Sequence, residues 1–320
     1  MNFKRMFVWL LLIIVLLIIY IPIWILGSVA VADLIPDTPS EHGLVNEGIG
    51  ILLLSIINTL LIVGLIVSSR LNGLQLSLVL ALAYYGSFTL LPQLETWYFL
   101  GELTVSPELL RGLFLMGLPI PLLFIPLAVV ICARWKPRGK SNANTNVVMS
   151  NGQLVLKLGI IAVTYLVIYW IAGYYIAWQN PELRAFYGSP GEIVPFWEHT
   201  FSTLKADPGL FILQLVRGVL FAFIVIPLIR GSKVKSWITA LLVGLLLAVP
   251  HLGHILSNPL MPIASVRLSH MIETVTSTFL FGVFIVWILH RRHHGLKDLL
   301  DLKSLKNENL KTTQRRSRKI

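Results

Sequence analysis

Apolar positions in this chain come in long uninterrupted runs separated by short polar connections. A helix needs about 20 such positions to cross roughly 30 Å of hydrocarbon. Read on that scale, the pattern predicts eight spans, at approximately 7–27, 49–68, 73–92, 112–133, 154–178, 209–229, 236–254 and 268–289. The runs lack the period-two alternation of barrel strands, so the predicted elements are helices, which satisfy their own backbone in lipid. Pro22, Pro119, Pro121, Pro126, Pro227 and Pro250 fall inside or at the ends of these runs, where neighbouring helices must take up the freed carbonyls. No internal repeat relates the spans. The expected fold class is an all-α integral membrane protein, a single polytopic bundle over 1–290 followed by a basic tail over 291–320.

Composition agrees with the pattern: 56% of residues are hydrophobic, 13% are charged and mean hydropathy is +0.78, far from the balance of a soluble domain. The charges add an orientation. Lys4 and Arg5, then Arg70, then Arg134, Lys136, Arg138 and Lys140, then Arg230, Lys233 and Lys235, and finally the tail, occupy alternate connections. Asp33, Asp37, Glu41 and Glu47, then Glu95, Glu102 and Glu108, then Glu182, Glu192, Glu198 and Asp207 occupy the others. Basic connections stay inside, which places both termini in the cytoplasm and predicts a multi-pass protein of the plasma (inner) membrane.

The net charge of +11 is spread over short loops and a tail, not over a folded module, so nucleic acid is not an expected partner. Membrane lipids are, with a second membrane protein as the alternative. Ala30-Val31-Ala32 imitates a signal-peptidase site, but the preceding run of about 20 residues exceeds the 7–15 of a signal sequence, and a retained anchor is expected. Cys132 stands alone and forms neither an internal disulfide nor a thiolate metal site. The tail is read as a stop-transfer flank; its leucines from Leu296 to Leu305 also allow a short inner-leaflet helix.

Polar residues gather in one stretch, "HLGHILSNPLMPIASVRLSHMIETVTS" at 251–277. His251 and His254 are three apart, as are His270 and Glu273, so each pair shares a helix face. Arg267, His270, Glu273 or Thr274, and Ser277 form a stripe down the eighth span. An ionised residue at the centre of a span costs about 2.5–3.5 kcal/mol, so Arg267 and Glu273 should face inward and find partners. Glu95, at the outer end of the third span, and Arg217, inside the sixth, reach the same level; Arg217 calls for Glu95 or Glu273 as its counter-ion. Tyr84, Tyr85, Tyr174, Tyr175 and Trp97 either line the same region or form an interfacial belt, the belt being preferred.

Three readings follow. Three histidines and a carboxylate are the usual ligands of a divalent metal, zinc above all, with an open position for an activated water. A membrane hydrolase would then bind the cation through His251, His254, His270 and Glu273, use Glu95 as base, and hold an anionic group with Arg217 or Arg267, Asn258 completing the site. No H-E-x-x-H supports this spacing. The same titratable groups suit a proton- or ion-coupled transporter, with Pro250, Pro259 and Pro262 marking a discontinuous element. A packing network, or a platform for a lipid headgroup or a second protein, is the third. The connection 179–208 is expected either to cover the site, with Glu198 and His199 as extra contributors, or to rest on headgroups.

"HILSN", His254 to Asn258, is similar to the His-x-x-x-Asn element of the CAAX-processing and bacteriocin-immunity intramembrane proteases, and "PELLRG", Glu108 to Gly112, resembles a shortened form of their Glu-Glu-x-x-x-Arg motif. The paired glutamates are missing, the Glu-to-Arg spacing is one residue short, and the spans just after it carry no histidine. The match covers about ten residues, and no family is assigned on it.

Overall fold

The structure, a computed structural model, describes residues 3–99, 105–136, 147 and 149–291. The tail, with its leucines and His293 and His294, and the basic residues Arg138 and Lys140 lie outside the described residues. Ten helices are named here: α1 (Phe3–Ser28), α2 (Glu47–Ser68), α3 (Gly73–Tyr98), α4 (Pro107–Ile131), α5 (Asn151–Ala177), α6 (Pro181–Phe186), α7 (Phe196–Ala206), α8 (Pro208–Gly231), α9 (Ser236–Ile255) and α10 (Ala264–His290). All but the short α6 and α7 are long and apolar enough to cross a membrane, eight among the described residues. The only extended pairing among those residues is a single bridge between Ser69 and Ser232.

Helix ends differ from the hydropathy pattern where capping chemistry decides them. α4 starts at Pro107 and not near 112, because the Ser106 hydroxyl accepts the Leu109 N–H at 3.1 Å and proline suits the first turn. Asp207 caps α8 in the same way through Leu210 N–H, at 3.2 Å. α3 continues to Tyr98 because a π-helical turn at Gly86–Leu90 breaks the regular ladder just before Pro92, whose missing N–H then falls at the start of a new α-helical stretch. Glu95 is therefore helical.

Small residues set the closest helix contacts. A Cβ on Gly282 of α10 would stand 2.7 Å from Gly244 Cα on α9, and one on Gly218 of α8 would stand 2.9 Å from Ala162 Cα on α5. With lipid tails as apolar as leucine, such close backbone approach is what drives helices together in a bilayer. Buried polar links add register: Tyr84 of α3 donates to Asn58 Oδ1 of α2 at 3.0 Å, and its hydroxyl lies 3.1 Å from that of Tyr20 on α1. α1 otherwise turns Phe7, Leu10, Leu11, Ile14, Val15 and Ile18 outward.

At the basic end, Arg134 donates to the Ser69 and Leu71 carbonyls at 2.6 and 3.0 Å, and Lys157 Nζ donates to the Arg291 carbonyl at 2.6 Å. Overpacking a filled contact costs about 1–3 kcal/mol. Gly282→Val is accordingly expected to lower the melting temperature in detergent by several degrees, whereas Gly159→Val, which meets nothing within 4 Å, leaves it unchanged. Differential scanning fluorimetry of the two purified variants checks this.

Candidate functional site

Two connections fold over the acidic end of the bundle and are tied to the start of α10, each also meeting a buried arginine through backbone carbonyls. Arg267, fully buried, donates through Nη1 to Met261 and Pro262 carbonyls at 2.9 and 2.8 Å, and through Nη2 to Glu41 and His42 carbonyls at 2.9 and 2.8 Å. The Glu41 carboxylate accepts the Ala264 N–H at 2.7 Å, and Glu47 accepts the Ser257 N–H and hydroxyl at 3.0 and 2.6 Å. On the other side, Arg184 donates to Trp178 and Gly191 carbonyls at 2.7 and 3.0 Å, and Asn180 donates to Ser265 and Ser269. Ser265 in turn donates to the Glu182 carboxylate.

Arg267 thus commits both terminal nitrogens to the cap, and its buried Nε meets no partner. Asn258 belongs to a turn, its Oδ1 accepting the Leu260 N–H at 3.0 Å. Thr274 and Ser277 bond to carbonyls of their own helix, so the polar stripe ends at Glu273.

Beneath the caps lie the remaining polar groups. Arg217 Nη2 meets Glu95 Oε2 at 2.8 Å; the arginine side chain is 3% exposed and the glutamate 29%. Of the two carboxylates expected for Arg217, Glu95 is the partner. Nη1 donates to Gln214 Oε1 at 2.8 Å, and the guanidinium stands 5.6 Å from the Tyr165 ring centroid. Two buried donors beside this pair, Arg217 Nε and Gln214 Nε2, have no partner.

α9 tightens at Pro250 into a 3₁₀ turn over Val249–Ile255, where side chains three apart eclipse, and His251 and His254 stand one above the other on it. The His254 ring is stacked on that of His270 with centroids 6.2 Å apart. His251 lies within electrostatic reach of His254, His270 and Arg217.

His270 is the centre of a chain of hydrogen bonds. Its Nδ1 is 3.1 Å from Glu273 Oε2, and its Nε2 is 2.7 Å from the Tyr187 hydroxyl. In the tautomer with the hydrogen on Nδ1, the ring donates to the Glu273 carboxylate and Nε2 accepts from the phenol. Burial, reinforced by Glu95 and Glu273, raises the Tyr187 pKa far above the ordinary tyrosine value, so Tyr187 is a phenol at neutral pH. Glu273 is buried against the π-helical turn at Gly173–Ala177 of α5, where a Cβ on Gly173 would be 3.8 Å from Oε1. Glu95, His251, His254, His270 and Tyr187 all keep partial exposure.

Among the described residues, no group of three or more His, Cys, Asp or Glu is placed to hold a metal ion. Tyr187 and Gln214 were not among the residues singled out by sequence. The one signal for Tyr187 was its place in the connection expected to cover the site. Within that connection Glu198 is exposed, and His199 packs on Trp178, Tyr174 and Trp170 with centroids 5.2, 5.6 and 6.2 Å away. Tyr84 and Tyr85 donate to neighbouring helices, at Asn58 Oδ1 and the Phe114 carbonyl, whereas Trp97 and Tyr175 are exposed as a belt requires.

No protein-family model, curated protein or solved structure matches the chain. The class is set by the fold alone: eight apolar helices compatible with a multi-pass membrane protein.

The unequal exposure of the ion pair has a measurable consequence. Deleting the carboxylate strands a buried guanidinium, which costs about 3–5 kcal/mol; deleting the guanidinium leaves a carboxylate that water already reaches. Glu95→Ala is expected to be the more destabilising change, Arg217→Met the milder, and the double variant more stable than Glu95→Ala alone. Unfolding titrations in mixed detergent micelles give the three values.

Proposed function

We propose that this chain is a multi-pass protein of the plasma (inner) membrane, with both termini in the cytoplasm, whose polar crevice at the outer leaflet is the site of a membrane-embedded hydrolase. The observation that carries the reading is the Tyr187–His270–Glu273 chain, partly exposed at Tyr187 and His270 and near the Glu95–Arg217 pair. An imidazole oriented through one nitrogen by a buried carboxylate, with the other facing a hydroxyl, is the arrangement of a general base.

In this reading His270 takes the proton of an attacking water, directly or through Tyr187, and returns it to the leaving group. Glu273 holds the tautomer. Arg217 Nε and Gln214 Nε2 are donors for a developing oxyanion, worth most where water is excluded. Glu95 keeps Arg217 in place and is the alternative base.

A zinc-dependent form of the reading would need His251, His254, His270 and Glu273 to converge on the ion, with His270 giving up the Tyr187 hydroxyl and Glu95 serving as base. These four are not grouped as a metal site among the described residues. The ion would supply a bound water with a pKa of about 7. A second reading, proton-coupled transport by the same residues, is favoured by the breaks in regular helix: π-helical turns at Gly86–Leu90, Ile120–Phe124 and Gly173–Ala177, and the 3₁₀ turn under His251 and His254.

The test is turnover of phospholipid, ester and peptide substrates by the protein in liposomes, with and without chelator. His270→Gln and Glu273→Gln are expected to slow it by about 10²–10⁴-fold with little change in melting temperature. Loss of turnover in chelator, restored by zinc, assigns the cation. Proton-driven flux without turnover supports the carrier. Neither turnover nor flux, together with variants that only lose stability, leaves a packing network and sinks the proposal.

A further inference from the structure

α7 divides its surface into three stripes. At about 100° per residue, Phe196, His199, Thr200 and Thr203 fall on one side, Trp197, Phe201 and Leu204 on a second, and Glu198, Ser202 and Lys205 on a third. The first side is docked on the bundle. Trp170 Nε1 donates to Thr200 Oγ1 at 2.7 Å, Phe196 packs on Tyr174 and Tyr175 with centroids 5.1 and 5.4 Å away, and His199 sits among three aromatic rings. Burial lowers the His199 pKa, so it docks as a neutral ring.

The second stripe is uncovered: Trp197, Phe201 and Leu204 are 66, 56 and 40% exposed, and Ile193 and Val194 just before the helix are exposed as well. The third is polar and exposed. A helix on the surface of a soluble domain has two environments to satisfy; α7 is patterned for three.

The position of α7 names the third. Only Asp207 separates it from α8, a helix apolar enough to cross a membrane, and Tyr98 at the end of α3 donates to the Asp207 carboxylate. α7 therefore lies at the rim where two membrane-crossing helices end. Tyr175, 58% exposed at the end of α5, stacks on Phe196 and joins the uncovered stripe to the outward surface of that helix.

We propose that α7 is an in-plane anchor whose Trp197, Phe201 and Leu204 stripe is buried among the acyl chains of outer-leaflet phospholipid, while Glu198, Ser202 and Lys205 face water. Such helices sink their apolar face about 5–10 Å into the boundary between headgroups and chains, and tryptophan is enriched there. The inference rests on the membrane reading of the bundle. Its occupant is lipid and not a second protein because the stripe continues the outward surface of α5 and has a polar stripe beside it. The anchor has a role in the site: the Tyr174 hydroxyl donates to the Val194 carbonyl at 2.6 Å, tying α7 to the same connection that carries Tyr187.

The experiment uses the full chain in phosphatidylcholine and phosphatidylglycerol vesicles, with Cys132 replaced by alanine and a nitroxide placed at one of three exposed positions. Collision rates with oxygen, which concentrates in lipid, and with a nickel chelate, which stays in water, are read for Phe201→Cys, Ser202→Cys and Val163→Cys. Val163, exposed midway along α5, is the lipid reference. The expected result is an oxygen-to-nickel ratio at 201 several-fold above that at 202 and close to that at 163. A water-like ratio at 201 with a lipid-like one at 163 overturns the anchor. Shielding from both reagents at 201 means that a protein covers the stripe and overturns it too, with spin–spin broadening marking a second copy. A water-like ratio at 163 overturns the membrane reading itself and the anchor with it.

Discussion

Guanidinium groups at the acidic end of this bundle govern its architecture, because an arginine has five N–H donors, no acceptor and no neutral form at ordinary pH. Three of them, Arg184, Arg217 and Arg267, are buried. Two are met by carbonyls alone: Arg267 joins Glu41 and His42 to Met261 and Pro262, and Arg184 joins Trp178 to Gly191. Carbonyl dipoles on two separated segments must converge on one plane to do this, so each arginine fixes a loop conformation. Arg217 has no such loop at hand. It sits within α8, where the helix uses its own carbonyls, and takes a carboxylate, an amide and an aromatic face from side chains. That is why Arg217, alone of the three, is met by a carboxylate.

Departures from regular helix follow a related logic. A π-helical turn frees one carbonyl and widens the backbone, and the 3₁₀ turn narrows it; both change which side chains share a face. The turn at Gly173–Ala177 sets Gly173, with no side chain, against Glu273, and the turn at Val249–Ile255 brings the Cβ directions of His251 and His254 into line where an α-helix would set them about 60° apart. The pairing of His270 with Glu273 needs only the regular helix α10; what the turns add is His251 eclipsed over His254 and a residue without a side chain against the Glu273 carboxylate.

How much of this was legible in the sequence depends on the range over which each feature is determined. The spans are properties of about 20 consecutive residues, and the eight helices fall where the apolar runs do, with ends moved by Ser106, Asp207 and the π turn before Pro92. Counter-ion demand made Glu95 a candidate for Arg217, because few carboxylates reach that depth. The role of Arg267 was not legible. Its charge and its place on a polar stripe are those of a ligand-binding arginine, and only the path of the 35–46 connection over α10 makes it a clamp. Zinc ligation by His251, His254, His270 and Glu273 is likewise a matter of side-chain direction, which spacing does not supply.

Tyr187 shows where local reading ends. It lies in a connection with six aromatic residues from Trp178 to Phe201, and by composition any of them suits a membrane belt. What separates Tyr187 from the rest is the docking of α6, in which Asn180 and Glu182 bind Ser265 and Ser269 at the first turns of α10 and bring the phenol to His270, one turn further on. The bonds that place it are thus made by residues with no chemistry of their own. The connection is divided in two by what each part meets: α6 is held by polar bonds to α10, and α7 by aromatic packing to α5 with an apolar stripe left over. The segment is fastened at its two parts to different helices, so the position of the Tyr187 hydroxyl at His270 is set by this cap as well as by the helix that carries His270.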